Sequence, residues 1–239
     1  MSAQLTGKVF AGAIGKVAGF TLKPGVLLEG MDPGLRLVAM ESYRLTVVEL
    51  GGALGLKPGR RLLVAGDSLR NMAPMLRAAG GDPVMFAVDG ERLRVSCGYR
   101  AGTVGLLDAG TFPAYEKVIP GSWVGRAIVQ KAPLLRVVRK LQYVYGYQSV
   151  LQLKFAPDGL GLVTCPFVGP DFVGCKVEGE PVTVYLRLDF LRDGLQVAGG
   201  RSVVLSAVDG RQPVAIRSVS DPGFLYVIAQ RRRPFGVGA

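Results

Sequence analysis

Apolar and polar residues alternate in short runs along most of the chain, and the runs come in pairs joined by turn residues. An apolar run, an Asp/Gly turn and a second apolar run recur at Asp32-Pro33-Gly34, Asp89-Gly90, Asp158-Gly159 and Asp209-Gly210. A tight turn between alternating strands needs residues tolerant of positive φ, so these four places predict β-hairpins. The pattern predicts strands at 26–29, 35–39, 45–50, 61–65, 84–88, 92–97 and 103–107, then at 124–130, 150–155, 160–164, 173–177, 182–188, 203–207, 214–219 and 225–229. Helical spacing predicts helices over 8–20, 131–144 and 190–198. A fourth starts from a cap at Asp67 or Ser68, contains Pro74 and stops at Gly80-Gly81.

The second half repeats the first. Ala87-Val88-Asp89-Gly90 returns as Ala207-Val208-Asp209-Gly210, and Gly80-Gly81 returns as Gly199-Gly200. Gly34-Leu35-x-Leu37-Val38 returns as Gly159-Leu160-x-Leu162-Val163. Nearly equal offsets of about 120 residues imply two copies of one domain, each itself a doubled unit of helix and hairpin. The stretch 112–121 carries two prolines and a turn, which sets domains at 1–120 and 121–239. The expected fold class is α+β, two pseudo-repeated domains each with two helices on antiparallel sheets. Like repeats more often make a scaffold or a ring than a catalyst with one asymmetric pocket.

Charge adds a partner. Twenty-nine lysines and arginines against 18 acids give +11, with fourteen cations to ten acids up to Pro120 and fifteen to eight beyond it. An excess of this size favours a polyanion, most simply nucleic acid. In helix 131–144, Arg136, Arg139 and Lys140 fall within about 100° of one another, opposite Leu134, Val138 and Leu141, and no acid interrupts them. Arg70 and Arg77 share a face of the second helix, while Lys8 and Lys16 on the first and Arg192 on the fourth are compatible additions.

Other chemistry is thinly represented. There is no histidine, which removes Ser-His-Asp and Cys-His catalysis and histidine metal sites together. No phosphate-binding or dinucleotide-binding glycine motif is present. A non-enzymatic protein without a cofactor or metal is expected. Cys97, Cys165 and Cys175 lack metal-ligand spacing and read as reduced structural thiols of a cytoplasmic protein. No apolar run reaches the length of a membrane span, and the first eight residues do not read as a secretion signal.

One segment is more specific. Thr111-Phe112-Pro113-Ala114-Tyr115-Glu116-Lys117-Val118-Ile119-Pro120 resembles the Phe-Pro-x-Tyr…Val-(Leu/Ile)-Pro linker of the bacterial sliding clamp, the beta subunit of DNA polymerase III. Leu37-Val38-Ala39-Met40-Glu41-Ser42-Tyr43-Arg44-Leu45 is similar to that family's Val-Ala-Thr-Asp-Gly-His-Arg-Leu segment, with the four central residues replaced. Leu225-Tyr226-Val227-Ile228-Ala229 is similar to its final strand, although a basic Gln230-Arg231-Arg232-Arg233 replaces the usual ending.

The resemblance implies a DNA-clamp fold matching the family's second and third domains, with the first strand of the earlier one missing. It implies a processivity factor that encircles double-stranded DNA without reading sequence, the basic helices facing the phosphates. Polymerase and clamp loader would dock by short peptides in a hydrophobic cleft of Leu28, Met40, Tyr43, Leu45, Pro120, Pro213, Val227 and Ala229. For Leu28, Leu45 and Val227 a plain core role is an equal alternative. Two domains per chain imply a homo-oligomer, a trimeric ring being favoured. The competing reading is a clamp-derived adaptor or inhibitor that binds such peptides without closing a ring.

Overall fold

Every predicted apolar run becomes a strand in the computed structural model, which describes residues 4–19, 25–52, 56–164 and 169–232. The chain divides at Ala114/Tyr115 into two units. The first holds α1 (Gly7–Val17), β1 (Val26–Met31), β2 (Gly34–Glu41), β3 (Arg44–Leu50), β4 (Arg61–Val64), α2 (Gly66–Ala79), β5 (Val84–Asp89), β6 (Arg92–Cys97) and β7 (Arg100–Leu107). Its strands run β3-β2-β1-β4-β7-β6-β5 and every pairing is antiparallel. Helices α1 and α2 pack against each other. They bury Phe10, Ile14 and Val17 from one side and Leu69, Met72 and Leu76 from the other. Phe10 meets Phe86 of β5 edge-on, ring centroids 5.3 Å apart.

The second unit holds β8 (Gly125–Gln130), α3 (Lys131–Tyr145), β9 (Val150–Ala156), β10 (Gly159–Val163), β11 (Asp171–Gly174), β12 (Lys176–Gly179), β13 (Val182–Arg187), α4 (Leu188–Val197), β14 (Ser202–Ala207), β15 (Val214–Ser218) and β16 (Phe224–Ile228). One sheet runs β12-β8-β14-β15-β16 and the other β11-β10-β9-β13. The fold class read from the sequence is therefore the observed one.

The repeat has a physical basis in two glycines. Gly34 opens β2 at φ 141° and Gly159 opens β10 at φ 152°. A Cβ at Gly34 would lie 2.3 Å from the Leu50 carbonyl oxygen, and one at Gly159 would lie 2.4 Å from that of Val173. Both copies thus need a bare backbone where the next strand crosses.

Several boundaries differ from expectation, each for a local reason. Helix α1 stops at Val17, short of the expected 8–20, and Phe20 lies outside the described residues. Helix α2 starts at Gly66, with Ala65 in the N-cap position and no side-chain cap bond. Asp67 therefore sits inside the first turn, complementing the helix dipole rather than capping it. Pro74 lies within α2, which continues through it; the missing N–H leaves the Arg70 carbonyl without its intrahelical donor. The single strand expected at 173–177 is two, because the chain leaves β10's side at Gly174 and joins β8 from Lys176.

Asp209-Gly210 is not a tight hairpin turn. The loop 208–213 joins β14 to β15, and the Asp209 carboxylate accepts the backbone N–H of Arg211 and of Gln212, each at 2.7 Å. The same four residues close β5 onto β6 tightly, with Gly90 at φ 53°. Identical turn sequences make different loops because the following residues, Glu91-Arg92 against Arg211-Gln212-Pro213, pair or fail to pair.

Candidate nucleic-acid interface

Helix α3 is oriented by its apolar stripe. Leu134, Val138 and Leu141 are buried, together with Gln142, and this turns Arg136, Arg139 and Lys140 outward, all three exposed. The helix itself carries no acid, but a neighbouring strand supplies one: Lys140 Nζ donates to Asp171 Oδ1 at 2.7 Å from the start of β11. Arg136 and Arg139 have no ion-pair or hydrogen-bond partner among the described residues. Two cations on this face are therefore unneutralised, rather than three.

The other cations divide in the same way. Lys8 on α1 and Arg77 on α2 are exposed and unpaired among the described residues. Arg70 serves the structure: its guanidinium pairs with Asp67 and donates to the carbonyl of Ala18, the C-cap residue of α1. A cation there satisfies an orphan carbonyl and complements the negative helix end. Lys131 does the same for α4, donating to the Ala198 carbonyl at 2.6 Å. Lys16 is half-buried in the last turn of α1 and has a partner of its own. Arg192 on α4 pairs with Asp193 and lies over the Tyr147 ring, 5.1 Å from its centroid.

The strands treat charge differently. Arg36 of β2 is held between Glu29 at 3.5 Å and Glu49 at 2.8 Å, and Arg61 of β4 also reaches Glu29 at 3.2 Å. Lys176 and Glu178 pair on β12, an interaction that draws the Glu178 carboxyl below its usual range. Glu29, Arg36, Glu49 and Arg61 are cross-strand neighbours of opposite sign that neutralise one another, whereas Lys176 and Glu178 do so along one strand. Pairing on the strands is not complete, however: Arg92 and Arg94 of β6 and Lys154 of β9 are exposed with no ion pair among the described residues.

The residues expected in a peptide cleft lie in both units. Leu28 is buried in β1, Leu45 in β3 and Val227 in β16, each a core residue of its own unit. Met40 is not in a loop, as the sequence implied, but in β2, paired with Leu45 and half-buried. Tyr43 occupies the two-residue turn between β2 and β3 and is 43% exposed. Pro120, Pro213 and Ala229 are half-buried, the first two in loops and the last just after β16.

The thiols do no visible chemistry. Burial pushes Cys97 above its usual pKa, and its Sγ donates to the Asp82 carbonyl at 3.1 Å. Burial likewise raises Cys175, while Cys165 lies outside the described residues. No group of three His, Cys, Asp or Glu able to hold a metal is found among the described residues. No helix there is long and apolar enough to cross a membrane.

Sequence reasoning passed over the tyrosines. Tyr143 is 93% exposed and Tyr147 is 63% exposed, and with Arg139, Gln142, Arg192 and Gln196 they line a groove between α3 and α4. Tyr143 stands seven residues after Arg136, on the same helix face, which is the signal that would have found it.

No family model matches the chain. Among curated proteins it is similar to the beta sliding clamp homolog GriR of Streptomyces muensis, 28% identical over 206 residues, covering 80% of this chain and 54% of that protein. It is also similar to the beta sliding clamp of Streptomyces coelicolor, 24% identical over 243 residues, covering 93% and 64%. The solved DNA polymerase III beta subunit of Thermotoga maritima superposes with a TM-score of 0.85 at 21% identity, over 98% of this chain and 66% of that one. The Bacillus subtilis DNA polymerase sliding clamp gives 0.85 at 18%, over 98% and 65%. The chain thus spans 54 to 64% of these two curated relatives. It has the fold of the bacterial sliding clamps, the beta subunits of DNA polymerase III, and resembles them in sequence along most of its length.

Proposed function

We propose that this protein is a DNA sliding clamp, a cytoplasmic, non-enzymatic processivity factor whose ring of identical subunits encircles duplex DNA. The observation that carries the reading is the outer face of α3, which has no acid of its own and keeps Arg136 and Arg139 unneutralised among the described residues, on a chain with the clamp fold. Arg77 and Lys8 extend the same property to the first unit. Cations that touch only phosphates hold DNA without regard to sequence and let the holder slide. Polymerase and loader peptides are assigned to the residues named for the cleft, with Met40 and Tyr43 as the accessible pair.

The test is topological. The protein is assembled on circular duplex DNA, passed through gel filtration at high salt, and followed before and after the circle is cut. A clamp stays with the circle and leaves when it is linearised. Equal retention on circular and linear DNA defeats the proposal.

A second reading, an adaptor that takes clamp-binding peptides without closing a ring, has one observation in its favour. Of the eight cations expected to face DNA, Arg70, Lys140 and Arg192 are in ion pairs, which thins the attractive face. Such a protein would bind peptides normally and fail the circle test.

A further inference from the structure

Attraction to phosphates accounts for Arg136 and Arg139 but leaves the groove between α3 and α4 unexplained. Its volume is about 370 Å³ and none of the residues lining it is an acid, although one of them, Arg192, pairs with Asp193. Two of its walls are tyrosine rings, among the most exposed large side chains described. Leaving two aromatic faces in water on one helix end is costly unless something covers them. The ring of Tyr147 is backed by the Arg192 guanidinium 5.1 Å away, which rigidifies it as a platform. Gln142 lies nine-tenths buried in the groove, and its amide nitrogen has no hydrogen-bond partner among the described residues. Gln196 adds a second amide.

The geometry points to a binding site for single-stranded DNA, in which an unstacked base lies against Tyr147 or Tyr143 and Arg139 holds the adjoining phosphate. The inference rests on the DNA reading above and goes beyond it. A duplex presents phosphates and base edges but keeps its base faces stacked on one another, so it has no use for an exposed tyrosine ring. A single strand has free base faces, and stacking on aromatic side chains is how such strands are held without regard to sequence. The amide of Gln196 matches the donors and acceptors on a base edge, while the buried Gln142 forms the floor beneath it. Arg139 and Arg192 at the rim favour a polyanion, and the two tyrosine rings favour one that carries planar groups.

Fluorescence anisotropy of the full chain tests this with three labelled probes: oligothymidine of about 12 nucleotides, an abasic oligomer of that length, and a duplex. Tyr147→Ala and Tyr143→Ala are expected to weaken oligothymidine binding about tenfold each, while duplex binding stays unchanged. Tyr147→Phe keeps the ring and is expected to bind as wild type does. The abasic strand is expected to bind wild type about tenfold more weakly than oligothymidine does, a comparison needing no variant of uncertain folding. Wild-type protein that does not distinguish oligothymidine from the abasic strand, or tyrosine variants that bind oligothymidine normally, overturn the site while leaving duplex binding intact. Loss of both single-strand and duplex binding in the wild type overturns the DNA reading itself.

Discussion

Replacing Arg136 and Arg139 together by alanine isolates the two cations of α3 that nothing in the described structure neutralises. Both are exposed, and the buried stripe of Leu134, Val138 and Leu141 is untouched, so the helix should keep its place. Alanine is at least as good a helix former as arginine, which removes a stability penalty as an explanation. Each phosphate contact contributes about 0.9 to the slope of log affinity against log salt, so losing two lowers the slope by about 1.8. Between about 50 and about 200 mM salt that difference amounts to about twelvefold in affinity. Lys140→Ala removes a cation already committed to Asp171 at 2.7 Å, and should lower the slope by less than either arginine does. Asp171→Asn releases Lys140 and should raise affinity. The assay is duplex binding by anisotropy across a salt series, with two unrelated sequences. An unchanged slope in the double variant, or a loss confined to one sequence, refutes the argument.

Gly194→Ala places a Cβ 2.5 Å from Tyr226 Cδ1 and 2.8 Å from Ile216 Cδ1, in a fully buried corner under α4. Overpacking of about 1–3 kcal/mol should exceed the helix-propensity gain of about 1 kcal/mol, lowering the melting temperature by a few degrees in calorimetry. Asp209 is held below its usual range, chiefly by the N–H groups of Gln212 and then Arg211. A depressed carboxylate contributes stability above its unfolded value, 3.8, and loses it as pH falls through the lower folded value. Asp209→Ala should therefore lower the melting temperature by a constant amount at neutral pH, with the difference fading under strongly acidic conditions. Tyr43→Ala should weaken peptides carrying a glutamine followed by apolar and aromatic anchors, measured by calorimetry; undiminished affinity removes the β2–β3 turn from the peptide site.

Much of this was legible because it is local. Turn residues between alternating runs define hairpins wherever the next residues can pair, as at Asp89-Gly90, and the stripe of α3 orients its own cations. What escaped is what depends on residues far along the chain. Asp171 neutralises Lys140 from 31 positions away, and nothing in α3 announces it. The carbonyl that Arg70 satisfies is 52 positions earlier, so a cation that looks available on its own helix is spent on another. The break at Cys175 is likewise non-local: 173–177 reads as one strand, yet its two ends pair with different sheets. The exposed Tyr143 and Tyr147 escaped for a different reason, since periodicity tells which residues share a face and not which face stays open.

The duplication also tells where the two units differ, and this bears on assembly. In the second unit β8 runs before α3 and pairs along β14, the strand that follows α4. In the first unit the equivalent position beside β5 holds only a bridge between Thr6 and Pro83, with Val84 N–H donating to the Leu5 carbonyl at 2.9 Å. Beyond it β5 is a sheet edge among the described residues, with Met85 58% exposed. In the second unit β11 and β12 end their sheets, and Phe172 on β11 is 51% exposed. Unpaired strand edges with apolar side chains invite partners. Joining an edge of one copy's first unit to an edge of another's second unit satisfies both, and this head-to-tail contact makes a ring only where the rotation closes. A ring of six like domains, as the clamp resemblance implies, takes three copies of the two units described here, which for this 239-residue polypeptide by itself is three times 25.3 kDa. Light scattering across micromolar concentrations at moderate salt should find that mass. A monomer, or a two-chain species at every concentration, would show that the edge beside β5 does not support closure and would shift the weight to the adaptor.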